Sequence, residues 1–359
     1  MLFEVGPPAK NLVGIARLAS RSELLEAKRV VEYLELPTRR LLNRTTERMP
    51  FEWTINPYRG CEFGCKYCFA RYTHEFMELN GGRDFEQKIY AKKFIAASLE
   101  AELRKTDRRE AIAIGTATDP YQPAERRFDL TRRILEVFAG EKGRRLSITT
   151  KSDLIARDLD LLKAIACANR LHVNMTVTTT DEELARKLEP RAPRPALRLE
   201  AVSVITAAGI EAGIFANPVM PLLTDTEENL DRVAAAAKAA GATFMGGALL
   251  FLKACSQEVF LPFLERQFPR MAPEYRKLFR NGSFLRGEYA DRVKDRVRRI
   301  RARHGLGDAP VEYTPEQWET QPEQGNLFEP QEPQLEVVSR KDGARVEPNR
   351  EESKQGCHG

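Results

Sequence analysis

Three of the six cysteines in this 359-residue chain lie within eight residues of one another. Cys61, Cys65 and Cys68 have the spacing Cys-x3-Cys-x2-Cys, and the adjacent Gly60 and Gly64 allow the backbone to curl around a bound group. Soft thiolate ligands of this kind select zinc, copper(I) or an iron-sulfur cluster. Thiols spaced this tightly form a poor disulfide framework, so metal binding or chemistry is the better interpretation.

The cysteine spacing leaves three interpretations open. A structural zinc site requires a fourth ligand, and His74 is the only histidine close by in sequence. A 4Fe-4S cluster held by three thiolates keeps one iron open, which is what a catalytic metal site requires. Buried thiols brought together by coincidence are the third interpretation.

Composition indicates where such a site would have to work. The chain is 42% hydrophobic, enough to bury a sizeable core in one large or two smaller domains. No apolar run has the length of a signal peptide or of a membrane span, so we expect a cytoplasmic protein without membrane contact. In that reducing compartment, clustered cysteines more often hold a metal than form disulfides.

Short apolar runs alternate with helix-like segments through the middle of the chain. With a strand at 52–58, these runs predict about six βα units. The other five runs lie at 111–117, 146–150, 171–180, 209–219 and 242–252. Strands that alternate with helices imply a parallel sheet, for which a closed or partial barrel is one solution. The cysteines would then follow the first strand, at the rim where such barrels carry their active sites.

Five segments, in order along residues 45–265, resemble the radical S-adenosylmethionine (radical SAM) superfamily. The finer pattern is similar to the branch related to spore photoproduct lyase, often labelled photolyase-like. The segments are NPYRGCEFGCKYCFAR (56–71), TATDPYQPAE (116–125), TTKSDL (149–154), KLEPRAP (187–193) and GIFANPVMP (213–221). The resemblance implies an α/β fold, a partial (β/α)6 TIM-type barrel.

The resemblance also implies an enzyme with two cofactors, a 4Fe-4S cluster and S-adenosylmethionine. The open iron would chelate S-adenosylmethionine, and one electron would cleave it to a 5′-deoxyadenosyl radical that takes hydrogen from the substrate. The cofactors supply the radical chemistry, while the protein orients the cofactors and the substrate and keeps the reduction potential of the cluster low. A reductant protein such as flavodoxin or ferredoxin is therefore an implied partner.

Several residues match cofactor-binding positions of the family. Cys61, Cys65 and Cys68 are the implied catalytic cluster ligands, with the aromatic Tyr67 before the third. Thr118 after the second strand and Thr178 in the fourth match hydroxyls that contact the cofactor. Lys151, ending the third strand, matches a lysine that meets the cofactor carboxylate, a role suited to a compact charge with three donors. The turn at Ala216 and Asn217 matches backbone beside the adenine.

Two departures from spore photoproduct lyase argue against that activity. Thr116 occupies the position of a cysteine that returns hydrogen to the product radical, and Phe69 replaces a tyrosine of the same relay. Neither side chain offers an easily abstracted hydrogen. Cys167 reads as a small core residue in an apolar helix, and Cys255 after the sixth strand is a candidate to face the barrel.

Four regions follow from these patterns. Residues 1–45 form an N-terminal extension with one helix-like stretch at 22–36, and residues 46–270 form the radical SAM core. Residues 271–306 form a basic helical region, in which Val293, Val297 and Ile300 share one helix face. Residues 307–359 are rich in Pro, Glu and Gln, which predicts a disordered tail.

The ends of the chain suggest partners. The basic region is either a solvated amphipathic helix or a phosphate-tracking surface, and a net charge of +5 is too small to decide. Gln324, Leu327 and Phe328 form a motif that resembles peptides docking on the replication sliding clamp. Nucleic acid is therefore the leading substrate class, with a peptide or small molecule as its rival. A zinc-binding nucleic-acid module without catalysis is the alternative of a different class.

Overall fold

The structure, a computed structural model, describes residues 13–27, 30–38, 40–45 and 49–310. The strands within these ranges are β1 (Glu23–Ala27), β2 (Glu32–Leu36), β3 (Leu42–Arg44), β4 (Trp53–Ile55), β5 (Tyr58–Arg59), β6 (Lys88–Lys92), β7 (Ala111–Ile114), β8 (Arg145–Thr150), β9 (Arg170–Thr176), β10 (Glu211–Phe215) and β11 (Met245–Gly246).

The helices in the described ranges alternate with these strands. They are α1 (Gly14–Ser20), α2 (Tyr72–Glu75), α3 (Arg83–Gln87), α4 (Ala96–Leu103), α5 (Glu125–Phe128), α6 (Leu130–Ala139), α7 (Leu159–Ala168), α8 (Glu182–Leu188), α9 (Pro195–Ala207), α10 (Glu227–Ala239), α11 (Ala254–Gln267), α12 (Ala272–Leu278) and α13 (Glu288–Arg303). Two short 3-10 helices lie at Phe69–Arg71 and Asp153–Asp158.

The larger sheet is the predicted partial barrel. Its strand order is β11-β10-β9-β8-β7-β4-β3. Six strands of this sheet run parallel to one another: β4, β7, β8, β9, β10 and β11. The seventh, β3, pairs with β4 in the antiparallel direction. Short β-branched strands such as β7, buried at every residue, suit a parallel sheet covered on both faces. The six predicted βα units and the α/β fold class are confirmed.

The N-terminal region contains a sheet that the sequence analysis did not predict. Within the stretch 22–36, predicted as helical, Glu23–Ala27 and Glu32–Leu36 instead form the antiparallel strand pair β1–β2. β2 pairs in parallel with β6 along all five residues, and Tyr33 and Leu36 become fully buried. β5 completes this four-stranded sheet. The helix prediction was wrong because tertiary pairing outweighs the high helix propensity of Glu, Leu and Ala, which is worth less than about 1 kcal/mol per residue.

The helices after the barrel build a second core against the cysteine loop. Phe260 and Phe263 of α11 and Tyr275 of α12 belong to the same buried cluster as Cys61 and Cys65. The long helix α13 instead buries Val293, Val297 and Ile300 in the core of the larger sheet, so its predicted apolar face is confirmed.

The chain after α13 packs under the barrel. Gly307 forms a parallel bridge with Phe244 just before β11, and its N–H donates to the carbonyl of Thr243 at 2.9 Å. Pro310 lies beside Ala111 and Arg145, the first residues of β7 and β8. Residues 307–310 of the predicted tail are therefore packed. The predicted disorder of the rest, and the motif of Gln324, Leu327 and Phe328, lie outside the described residues.

None of the helices in the described ranges has the length and apolar character needed to cross a membrane.

Candidate active site

A cavity of about 290 Å³ lies at the C-terminal ends of the barrel strands. It is bounded by residues that follow the strands, by the cysteine loop and by the segment after β11. Seven of the eight predicted site residues line it: Cys61, Cys65, Tyr67, Cys68, Thr118, Lys151 and Asn217. Cys61 and Asn217 therefore line the same cavity although they are 156 positions apart in the sequence (217 − 61).

The three thiols share one buried wall of this cavity. Burial raises the pKa of each thiol, that of Cys65 to about 12, and the neighbouring thiols Cys65 and Cys68 raise the pKa of Cys61 further. A neutral thiol is a poor ligand, whereas a bound cation stabilises the thiolate, so metal loading would release protons here. Three soft donors in one wall fit an iron-sulfur cluster.

Gln122 and Thr118 hold the start of the cysteine loop. The Thr118 hydroxyl donates to the carbonyl of Gly60 at 2.7 Å, and Gln122 Nε2 donates to the same oxygen at 3.0 Å. Gln122 Oε1 accepts from the N–H of Glu62 at 3.0 Å. Thr118 thus has a loop-holding contact in addition to its predicted cofactor contact. Gln122 lies within the quoted TATDPYQPAE segment, but its role was missed.

Arg71 and Glu86 hold the middle of the loop. The fully buried Arg71 donates to the carbonyl of Cys65 at 2.9 Å and pairs with Glu86 at 2.6 Å. Glu86 also pairs at 2.6 Å with Arg191, which lies in the segment after α8. These contacts were missed as well, because no sequence pattern marks Arg71 or Glu86 as a partner of the loop. They fix the backbone between the thiols.

Replacing Gly60 by alanine is expected to lower the free energy of unfolding by more than about 2 kcal/mol and to reduce iron loading. Gly60 has φ of +81°, and an added Cβ would lie 2.8 and 2.9 Å from the carbonyl oxygens of Lys88 and Phe85. Urea unfolding and iron analysis would measure both effects. Gly143, with φ of +74° and open space around it, is the matched control. Gly143→Ala should show only the strain of about 1 kcal/mol, and equal losses in both variants would contradict the steric argument.

Lys151 presents a positive charge to the cavity. Its Nζ lies 5.7 Å from the ring centroid of Tyr67 and forms no ion pair within the described part of the chain. Burial alone would lower the pKa of Lys151, but the charges of Cys65 and Glu189 raise it. Asp119 fixes its backbone by accepting from the Lys151 N–H at 2.7 Å. The ammonium is thus held beside the thiols and available to an anion.

Thr178 lies outside its predicted strand, whereas Asn217 lines the cavity as expected. β9 ends at Thr176, so Thr178 follows the fourth strand and is not part of it. The Thr178 hydroxyl is buried without a hydrogen-bond partner among the described residues, whereas Thr176 lines the cavity. Asn217 Oδ1 accepts from the N–H of Ala248 at 2.6 Å. The prediction placed Thr178 wrongly because the whole run 171–180 was taken as one strand.

Thr116 and Phe69, the two departures, both line the cavity. Thr116 shares a 2.6 Å hydroxyl contact with Thr54 and accepts from Asn56 Nδ2 at 3.0 Å. The Phe69 ring lies 6.0 Å from that of Phe251. Thr116 is therefore part of a polar patch in the cavity wall, and Phe69 is part of an aromatic one.

The remaining described cysteines lie elsewhere. Cys255, predicted as a candidate to face the barrel, is buried in the first turn of α11 and does not line the cavity. Cys167, predicted as a core residue, is exposed on α7. Both predictions were wrong, in the second case because an apolar helix sequence does not say which residue faces outward.

His74 is poorly placed to complete a zinc site. Its Nε2 lies 3.0 Å from the carbonyl of Lys88, and its ring packs against Phe85 and Tyr90. In the described ranges no three His, Cys, Asp or Glu side chains stand together in a way that would hold a single metal ion. An iron-sulfur cluster distributes its thiolates over different irons, so this finding does not bear on a cluster.

The buried His74 is expected to make the protein less stable in acid. Burial lowers its pKa to about 4, below the ordinary 6.5. Between these values the unfolded state binds a proton that the native state excludes, so the free energy of unfolding falls as pH falls through that window. At pH 5 the loss from His74 is about 2 kcal/mol. Urea unfolding at pH 7 and pH 5 should show a smaller pH effect in His74→Gln; identical pH effects would contradict the assignment.

The fold and the cavity define a barrel enzyme of the radical SAM class, and comparison with known proteins agrees. The family model described as the Radical SAM superfamily matches residues 55–237. The chain belongs to this superfamily.

Relatives and solved structures extend the comparison. An uncharacterised protein of Mycobacterium tuberculosis is 39% identical over 259 residues, covering 72% of this chain and 76% of the relative. An uncharacterised protein of Methanocaldococcus jannaschii is 30% identical over 198 residues, covering 55% of this chain and 71% of the relative. The structure of spore photoproduct lyase complexed with dinucleoside spore photoproduct matches with a TM-score of 0.59 at 16% identity, covering 76% of this chain and 80% of that one. At this identity the last match shows a shared fold.

Proposed function

We propose that this protein holds a 4Fe-4S cluster through Cys61, Cys65 and Cys68 and cleaves S-adenosylmethionine reductively. When bound, these cofactors supply a 5′-deoxyadenosyl radical that abstracts hydrogen from a substrate. Membership of the superfamily supports an enzyme with radical chemistry. The observation that carries the proposal is that three thiols and the ammonium of Lys151 line one cavity at the C-terminal ends of the strands.

The residues of the chain have separate tasks in this proposal. The thiols bind iron, and Lys151 donates to the carboxylate of S-adenosylmethionine. The backbone at Asn217, and Thr118, border the same cavity and orient the cofactor. Eight aromatic rings in the wall exclude water: Phe51, Phe63, Tyr67, Phe69, Tyr72, Phe85, Phe215 and Phe251. An external one-electron donor of the flavodoxin or ferredoxin type supplies the electron.

The proposed substrate is a nucleic acid, and its reacting part is uncharged. Apart from the thiols, Lys151 and Asp119 are the charged side chains among the described residues that line the cavity. Both oxygens of Asp119 are already used, by the Thr150 hydroxyl and by backbone N–H groups. A neutral base stacked on aromatic rings suits such a wall better than a carboxylate or phosphate.

The surface near α12, and not that of α13, supports a nucleic-acid substrate. Most arginines of α13 pair with acids, as Arg303 does with Glu227 and Asp231, which favours a solvated helix there. Arg270, Lys277 and Arg280 lie near α12 and form no ion pair within the described ranges. These three side chains are the better candidates for phosphate contacts. Docking on a sliding clamp through Gln324, Leu327 and Phe328 stays a separate proposal.

The absence of two hydrogen donors supports a reaction other than repair of spore photoproduct. Thr116 and Phe69 line the cavity where the resemblance places a cysteine and a tyrosine. Within the described ranges, no thiol besides the three proposed ligands reaches the wall. The product radical must therefore be quenched by another group or by the cofactor.

Anaerobic reconstitution with iron and sulfide, followed by dithionite and S-adenosylmethionine, tests the proposal. Formation of 5′-deoxyadenosine by the native chain is the expected result. Tight zinc binding without a cluster or cleavage would overturn it. Carbon-deuterated DNA, RNA and peptides then separate the substrate classes, because the substrate passes deuterium to 5′-deoxyadenosine. Label from peptides alone would replace nucleic acid with the rival class.

A further inference from the structure

Glu189 lies directly against the cysteine loop. It follows α8, precedes Pro190 and is 1% exposed. The Tyr67 hydroxyl, from within the Cys-x3-Cys-x2-Cys segment, donates to Glu189 Oε1. Arg198 of α9, itself 1% exposed, pairs with Glu189 Oε2 at 2.5 Å. A buried carboxylate thus joins the loop to a buried arginine.

The segment around Glu189 is joined to the loop at other points as well. The N–H of Lys66 donates to the carbonyl of Leu188 at 2.9 Å, and the N–H of Arg191 donates to the carbonyl of Phe63 at 3.2 Å. Arg198 donates in turn to the carbonyl of Thr176, at the end of β9, at 3.0 Å. Glu189 and Arg198 therefore connect the cysteine loop to the barrel through a chain of direct contacts.

The charges around Glu189 lie next to the cysteine loop. Burial on its own would raise the pKa of Glu189, but the positive charges of Arg198 and Lys151 lower it, which keeps the carboxylate ionised. The Lys151 ammonium lies 5.7 Å from the ring centroid of Tyr67, the residue whose hydroxyl donates to Glu189. Glu189 is therefore placed to offset two positive charges beside the loop that carries the proposed ligands.

We infer that Glu189 is a positioning residue for the cysteine loop and that its negative charge keeps the reduction potential of the bound cluster low. The inference rests on the proposed function, because it requires a cluster on Cys61, Cys65 and Cys68. A nearby negative charge disfavours the addition of an electron, and net charge and hydrogen bonding both tune iron-sulfur potentials. With Glu189 neutralised, Arg198 and Lys151 would be left uncompensated, and the cluster would be easier to reduce and a weaker reductant.

A redox titration of the reconstituted protein, followed by its spectrum, tests the charge. Glu189→Gln should shift the potential to more positive values. Glu189→Gln combined with Arg198→Met removes one charge of each sign, so its potential should return toward the native value. An unshifted single variant, or a double variant as positive as the single one, would overturn the inference. If the single variant fails to load iron, Arg198→Met takes its place: with less positive charge to offset Glu189, its potential should shift to more negative values, and an unshifted potential would overturn the inference.

Tyr67→Phe tests the positioning separately, because it keeps both charges and removes one charge-assisted hydrogen bond. We expect little change of potential and loss of iron to a chelator that is about tenfold faster. Native retention of iron in this variant would overturn the positioning role. A native chain that binds no cluster would instead refute the proposed function, so the two failures are distinguishable.

Discussion

Replacing Cys61, Cys65 and Cys68 together by alanine is expected to abolish iron loading and to reduce 5′-deoxyadenosine formation to the level of a protein-free control. All three thiols line the cavity, and no other thiol of the described residues can substitute for them. Alanine removes the ligands but little volume, so the variant should still unfold cooperatively. Iron and sulfide analysis, the product assay and thermal unfolding measure the three parts of this result.

Matched controls come from the other described cysteines. Cys255→Ala removes a buried thiol outside the cavity, and Cys167→Ala removes an exposed one. Both should load iron and form product like the native chain. Product formation in the triple variant, or equal loss in Cys255→Ala, would contradict the assignment of the ligands.

Replacing Lys151 by methionine is expected to weaken the binding of S-adenosylmethionine by about 10- to 150-fold. The range corresponds to one charge-assisted hydrogen bond, worth about 1.5 to 3 kcal/mol. Methionine keeps most of the packing against Tyr67 while removing the ammonium. Equilibrium binding to the reconstituted protein under anaerobic conditions measures the effect without depending on turnover.

Lys163→Met, on the exposed side of α7, is the control for the lost charge. It should bind S-adenosylmethionine with native affinity. Native affinity in Lys151→Met would assign the ammonium to another task, and equal weakening in both variants would point to a general electrostatic effect. The iron content of each protein should stay at the native level, since neither lysine is a proposed ligand.

The barrel could be predicted from sequence because its strands are locally distinct. Runs such as Ala111–Ile114 are short, apolar and bounded by helix-like segments, and each side chain in that run is buried. The cysteine loop could be predicted for a similar reason, since three ligands lie within eight residues. Both features rely on information contained in short segments.

The features that were missed depend on contacts that form only in the folded chain. The segments of β1 and β2 have a helix-like composition and become strands because β2 pairs with β6 in the folded chain. The loop anchors Gln122 and Arg71 look ordinary until Gly60 and Cys65 present backbone groups to them. A single sequence carries no signal for such pairings, since they arise after the chain has folded.

The position of Pro310 has a practical consequence for handling this protein. At Pro310 the described chain reaches the N-terminal ends of the strands, whereas the cavity lies at their C-terminal ends. An attachment made at Pro310 itself therefore starts on the side of the barrel away from the cavity. A resin or sensor surface coupled to a chain shortened to end at Pro310 should leave the cavity facing the solution.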